Sequence, residues 1–145
     1  MYILTSEFSF DAAHFLDGHE GKCKNIHGHR WRVKVSIGGD KLVEEGSERD
    51  MLVDFGVFKR DLKTVEDMFD HKLIFEKGTL KEDGDFLDEE LLGLTFRPTA
   101  ENLARNFYLV LKSMGYQVVE VTVYETPNNS VTYLACSLSD LVCTE

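Results

Sequence analysis

A cysteine and two histidines fall within one short stretch, Cys23-Lys24-Asn25-Ile26-His27-Gly28-His29, and a strand-like run follows without a break. In extended backbone, residues two apart project to the same side, so His27 and His29 share a face. Gly28 between them carries no side chain and lets a ligand or another chain approach closely. Paired imidazoles suit a zinc ion, with Zn–N near ~2.0 Å. An H-x-H pair alone also arises through ordinary packing, so a third ligand matters. His14, in "FDAAH", comes back alongside His27 and His29 if the first two strands pair as an antiparallel hairpin. His19 competes for that role but stands in the turn-like "DGHEG". Three imidazoles with an open fourth position make a catalytic zinc site, and adding Cys23 makes a closed, structural one. Spacing does not choose between the two.

Two further positions hold polar groups in unexpected places. Asp70-His71 follows a helical pattern, where a cation near the C-terminus is favoured by the helix dipole, so a charged helix end explains it equally well. Glu125 continues the apolar parity of Val119, Val121 and Val123. A carboxylate on a core-facing parity needs a partner, unless the strand leaves the core there.

The elements that position these groups follow from periodicity. Residues 2–10 read as a strand, with Tyr2, Leu4, Phe8 and Phe10 on one parity. His29, Trp31, Val33, Val35 and Ile37 share one face of a second strand, which Gly38-Gly39-Asp40 ends. "DFGVFKRDLKTVEDMF" carries Phe55, Phe58, Leu62, Val65, Met68 and Phe69 at helical spacing, with Asp54 as N-cap. A short apolar run, "KLIF", follows Asp70-His71. Residues 77–96 are acidic and rich in Gly and Leu, and read as a long loop with one helical turn in "LDEELL". A second helix runs from Thr99, its cap, through Leu103, Ala104, Phe107, Val110, Leu111 and Met114 to Gly115 at C′. "YQVVEVTVYE" and "VTYLACSL" form a closing hairpin across the turn "TPNNS". The order β-β-α-α-β-β gives an α+β domain over residues 1–145, a four-stranded antiparallel sheet with two helices on one face.

Composition narrows the function classes. The chain has 145 residues, the size of one domain, and 43% hydrophobic residues, enough for an ordinary core. A net charge of −10 argues against bulk nucleic-acid binding, which needs a basic footprint, but not against a small anion held by local cations. "MYILTSEFSF" lacks a basic n-region and reads as neither signal peptide nor membrane span. Three cysteines, Cys23, Cys136 and Cys143, form no disulfide framework, so a reduced, cytoplasmic protein with no membrane partner is expected.

In order, "FSFDAAHFL", "CKNIHGH", "LVDFGVFK", "DH", "RPTAEN" and "VTVYET" resemble the 6-pyruvoyltetrahydropterin synthase family, from Phe8 to about Tyr133. The resemblance is nearest to the 6-carboxytetrahydropterin synthase branch of queuosine biosynthesis, because three residues separate Cys23 from the H-G-H block, as in that branch. It implies the T-fold, with subunits joining sheets into a barrel, active sites between subunits, and a hexamer built as a dimer of trimers. It also implies Zn2+ on His14, His27 and His29, and Cys23 as the proton-abstracting base. Asp70 and His71 would act as its relay. Glu125 would hold the pterin and take part in the relay, with Thr99 and Glu101 beside the pterin pocket. The implied reaction converts 7,8-dihydroneopterin triphosphate to 6-carboxy-5,6,7,8-tetrahydropterin, acetaldehyde and triphosphate.

The triphosphate needs cations, and Lys22, Lys24 and Arg97 are candidates by their closeness to the motifs. Segment 77–96 is longer than the family pattern and has no role in this reading. Glu20 lies in a region where relatives that cleave the side chain to a folate precursor use a Glu. Two alternatives stand beside the lyase: a synthase that eliminates triphosphate but keeps the side chain, and a non-catalytic pterin-binding T-fold protein. Cys23 argues against the last, since a pure binder needs no thiol there.

Overall fold

The computed structural model describes residues 1–81 and 86–135. Its elements are β1 (Tyr2–His14), β2 (His27–Gly39), α1 (Phe55–Phe69), β3 (Lys72–Glu76), β4 (Leu91–Leu94), α2 (Ala100–Ser113), β5 (Val118–Thr126) and β6 (Asn129–Leu134). The strands form one sheet in the order β4-β3-β1-β2-β5-β6. The expected antiparallel four, β1, β2, β5 and β6, are all present.

Strand number is where the sheet departs from expectation: it has six strands, not four. β3 is the short apolar run after His71, and β4 lies within the segment read as a loop. Both add in parallel, β3 to β1 and β4 to β3. Neither announces itself by alternation: β3 buries the adjacent Leu73 and Ile74, and "LLGL" of β4 has no polar-apolar period. The helical turn expected in "LDEELL" is present as a 3₁₀ turn, Asp88–Glu90. β1 also runs on past Phe10 to His14, because Asp11, Ala12 and Ala13 stay paired to β2. The end of the closing strand, Cys136 to Leu138, lies outside the described residues.

Local chemistry explains the helices. Asp54 caps α1 by accepting from the Val57 N–H at 3.0 Å, and Thr99 caps α2 by accepting from the Asn102 N–H at 3.2 Å. Gly115, at φ +97°, ends α2. Its N–H bonds the Lys112 carbonyl and that of Tyr116 bonds Leu111, the Schellman pattern. Phe58, Leu62, Val65 and Phe69 form the buried stripe of α1, while Phe55 and Met68, on the flanks of that stripe, are exposed.

Both helices cover the same sheet face. Phe8, Phe10, Trp31, Val33, Val35, Val121 and Val123 share one core with Phe58, Phe69, Leu103 and Phe107. Phe10 is its hub: its ring stacks on Trp31 at 6.0 Å between centroids and meets Phe69 at 5.6 Å and Phe107 at 6.1 Å. The opposite face is polar, with Arg30 paired to Asp11, Arg32 paired to Glu7, and Arg32 lying over the Tyr124 ring. Among the described residues, no helix is long and apolar enough to cross a membrane.

Phe107 is fully buried and touches Phe8, Phe10 and Phe69. Phe107→Ala is expected to cost about 3–5 kcal/mol of folding free energy, read by urea denaturation; a loss under ~1 kcal/mol would contradict this packing.

Candidate functional site

The β1–β2 register sets His14 directly opposite His27 and Ala12 opposite His29. Cross-strand partners share a face, so the hairpin inferred from the sequence brings the imidazoles together. One ring nitrogen from each of His14, His27 and His29 lies within 4.8 Å of the others. The ring centroids are 4.6 Å apart for His14–His27, 5.1 Å for His14–His29 and 4.9 Å for His27–His29. Trp31 floors the cluster edge-on, 4.9 Å from His14 and 5.3 Å from His29. Its indole N–H donates to the Ala12 carbonyl at 3.2 Å, which fixes that floor.

Backbone carbonyls set the tautomers. His14 Nδ1 donates to the Pro98 carbonyl at 2.8 Å, and His27 Nδ1 donates to the Asn25 carbonyl at 2.6 Å. A neutral ring so arranged has a bare lone pair on Nε2. The two Nε2 atoms face each other at 3.1 Å. With both Nδ1 atoms donating to carbonyls, neutral rings turn two lone pairs toward the same point. Among the described residues, buried His29 Nε2 finds no hydrogen-bond partner, although Glu125 Oε1 is 3.4 Å away. An orphaned nitrogen, two facing lone pairs and carbonyl braces on the far nitrogens fit the pattern of metal-ligating histidines.

Electrostatics point the same way. Burial, reinforced by the neighbouring imidazoles, pushes His14 down to about 4 against the opposing pull of the Pro98 carbonyl. Burial also lowers His29, with His27 adding to the effect and Glu125 opposing it. Both rings are therefore held toward the neutral form that a metal requires.

Asp70 and His71 sit just beyond α1 and are tied to β1. The Asp11 N–H donates to Asp70 Oδ1 at 2.9 Å, the His71 N–H donates to the Asp11 carbonyl at 2.7 Å, and His71 Nδ1 bonds Asp70 Oδ2 at 2.8 Å. The bond from the Asp11 amide is the main reason the Asp70 carboxyl is held below its ordinary range, with His71 adding to it. His71 adopts φ +59°, a left-handed conformation uncommon outside glycine. Its exposed ring borders a cavity of about 530 Å³ with His29, Asp11, Gly28 and Phe86. Glu125 borders another, of about 440 Å³, with His29, Gly28, Arg30, Arg32 and Tyr124. His29 and Gly28 are thus common to both. A Cβ on Gly28 would meet nothing closer than the Ala12 carbonyl at 3.9 Å, so this chain's own packing does not demand the glycine.

The remaining candidates stand around this centre. Cys23 is a free, half-buried thiol on the 3₁₀ turn Lys22–Lys24 and is outside the three-histidine group. Lys24 lines a third cavity, about 740 Å³, with His19, Asn25, Thr79, Lys81 and Phe86. Segment 77–96, without a role in the sequence, thereby supplies a wall facing the loop before β2. Thr99 adjoins the Pro98 carbonyl, and Glu101 is exposed on the first turn of α2. His19 is exposed and spent locally, its Nδ1 accepting from the Gly21 N–H at 2.9 Å. Sequence reasoning missed the backbone braces at Asn25 and Pro98, since a carbonyl leaves no residue-type signal.

Solved structures share this architecture. An uncharacterized protein from Wolinella succinogenes superposes with a TM-score of 0.75 at 19% identity, covering 93% of this chain and 98% of that one. The 6-pyruvoyl tetrahydropterin synthase of Caenorhabditis elegans does so at 0.65 with 31% identity, covering 94% and 98%. The chain is a T-fold protein. The family model described as 6-pyruvoyl tetrahydropterin synthase matches residues 3–136. A 6-carboxy-5,6,7,8-tetrahydropterin synthase from Haemophilus influenzae is 36% identical over 140 residues, spanning 92% of this chain and 99% of the relative. Its Synechocystis counterpart is 35% identical over 144 residues, spanning 98% and 100%. This chain belongs to the 6-pyruvoyl tetrahydropterin synthase family, as its six motif blocks suggested.

In metal-free protein, the His14 ring is expected to titrate near pH 4. Because the folded value lies below the unfolded value of ~6.5, the neutral ring's contribution to stability is complete above that pH and is lost as pH falls toward 4. NMR titration of His14 checks this, and a midpoint near 6.5 would show the ring to be solvated.

Proposed function

We propose that this protein is a zinc-dependent 6-carboxytetrahydropterin synthase, a carbon–carbon lyase that takes 7,8-dihydroneopterin triphosphate and one water to 6-carboxy-5,6,7,8-tetrahydropterin, acetaldehyde and triphosphate. The observation that carries this reading is the convergence of three imidazoles within 4.8 Å, two of them braced by backbone carbonyls and the third with Glu125 against it. The relatives from Haemophilus influenzae and Synechocystis, both named for the 6-carboxy product, support the branch. The position of Cys23 before the H-G-H block agrees with them.

His14, His27 and His29 would hold Zn2+, which when bound would supply Lewis-acid polarisation of the substrate's side-chain hydroxyls. Glu125 accepts two hydrogen bonds from the guanidine-like edge of the pterin. Thr99 and Glu101 stand beside the ring. Cys23 takes a proton from the substrate's side chain. Asp70 orients His71 through Nδ1 and stabilises the imidazolium, leaving Nε2 to pass the proton on. Lys24 meets the triphosphate; the cavity it lines adjoins Asn25, whose carbonyl braces His27. The pathway is queuosine biosynthesis, in the cytoplasm.

One observation favours a second reading: the matched family model and the Caenorhabditis elegans structure are both named for the 6-pyruvoyl enzyme. Products distinguish the two, because acetaldehyde forms only if the side chain is cleaved. Among the described residues β4 and β6 are the sheet edges, and exposed edges invite pairing between chains. We place the protein in a closed homo-oligomer, a hexamer made of two trimers; light scattering showing a stable monomer at micromolar concentration would overturn this.

Purified protein is expected to carry one zinc per chain and to yield acetaldehyde from 7,8-dihydroneopterin triphosphate. His27→Ala should lose metal and turnover together. Cys23→Ala should keep zinc and a near-normal melting temperature while kcat drops about 10²–10⁴-fold. Zinc loss in Cys23→Ala equal to that in His27→Ala would make Cys23 a ligand, and full turnover with intact zinc would shift the base to Glu20 or His71.

A further inference from the structure

The first turn of α2 does more than start a helix. Thr99 is its N-cap, and Asn102 is the third helical residue, whose N–H bonds the Thr99 hydroxyl oxygen. The Asn102 side chain turns back and donates from Nδ2 to the Arg97 carbonyl at 3.0 Å. That same carbonyl accepts the Thr99 N–H at 2.9 Å. Among the described residues no peptide bond is cis. In a trans peptide the C=O and the following N–H point in opposite directions. The Thr99 N–H points at Arg97, so the Pro98 carbonyl in the same peptide points away, onto His14 Nδ1. The Pro98 ring fixes φ at this corner, which leaves ψ as the one soft torsion between the two carbonyls. The Thr99–Arg97 bond sets that torsion, and Asn102 holds the Arg97 end of it.

We propose that Asn102 is a positioning residue for the metal centre: through Arg97 and Pro98 it aims the carbonyl that locks His14 in its Nδ1–H tautomer. His14 is a side chain from β1, and this brace is its one hydrogen bond to α2's entry turn. Without it the ring loses the preference that presents Nε2 to His27 and His29. The proposal rests on the reading of the three histidines as metal ligands, but the tautomer can be observed without metal.

Asn102→Asp is the test, since it keeps the shape and removes the donor. A carboxylate in the first helical turn is favoured by the helix dipole, so α2 should not weaken. Two quantities are read: the His14 tautomer in metal-free protein, by ¹⁵N-resolved NMR of the ring, and Zn2+ affinity, by chelator competition. The wild-type ring is expected as the Nδ1–H form. The variant should show a mixture of tautomers and bind Zn2+ about 10–100-fold more weakly, at an unchanged apo melting temperature. Asn102→Ala should show the same two losses and decides the matter if the Asp variant fails to fold. An unchanged tautomer and unchanged affinity in a folded variant would overturn the proposal. Failure of wild-type protein to bind Zn2+ would instead overturn the metal reading, with the tautomer still deciding the brace.

Discussion

The pairing of β1 with β2 is the constraint on which everything else depends. These strands stay in register over thirteen pairs, from Tyr2 opposite Gly39 to His14 opposite His27. A slip by one residue would turn every side chain of β1 to the other face. Phe8 and Phe10 would leave the core, and His14 would leave the cluster in the same step. Core and site are therefore specified by a single alignment: the apolar parity that buries Phe10 against Trp31 also carries His14 to His27. Trp31 is the physical join, stacked on Phe10 at one end and flooring His14 and His29 at the other.

Legibility in the sequence followed from periodicity. β2 was readable because five apolar or aromatic-ring residues alternate with polar ones, and α1 and α2 because their stripes are capped by Asp54 and Thr99. The three histidines could be gathered because two lie on one strand and the third needs only a hairpin. β3 and β4 were not readable as strands. They are short, they lie beside each other in parallel, and such pairing depends on a partner far away in sequence rather than on a turn nearby. Their discovery gives segment 77–96 a place: it carries β4 and a wall beside the loop that precedes β2.

The site also uses groups that residue identity cannot reveal. The carbonyls of Asn25 and Pro98 decide which nitrogen of His27 and His14 is bare, and the backbone of Asp11 fastens Asp70 and His71 to β1. Side-chain types announce candidate ligands, whereas their protonation and orientation come from main-chain geometry that exists only after folding. Glu125 shows both sides. Its apolar parity marked it as anomalous, but its partner, His29, required the β2–β5 alignment, in which Arg32 meets Tyr124.

The two halves of the site differ in how far the chain must travel to build them. His14 and His27 are separated by 13 positions, whereas Asp11 and Asp70 are separated by 59. Loop-closure entropy grows with the logarithm of that span, so joining the Asp70–His71 pair to β1 costs about 1 kcal/mol more than closing the histidine hairpin. The hairpin can form from neighbouring chain alone, while the pair must wait for α1 to pack and for β3 to find the free edge of β1. In a nascent chain the imidazole cluster is thus complete in sequence once β2 has emerged, tens of residues before the acid–imidazole pair has been made.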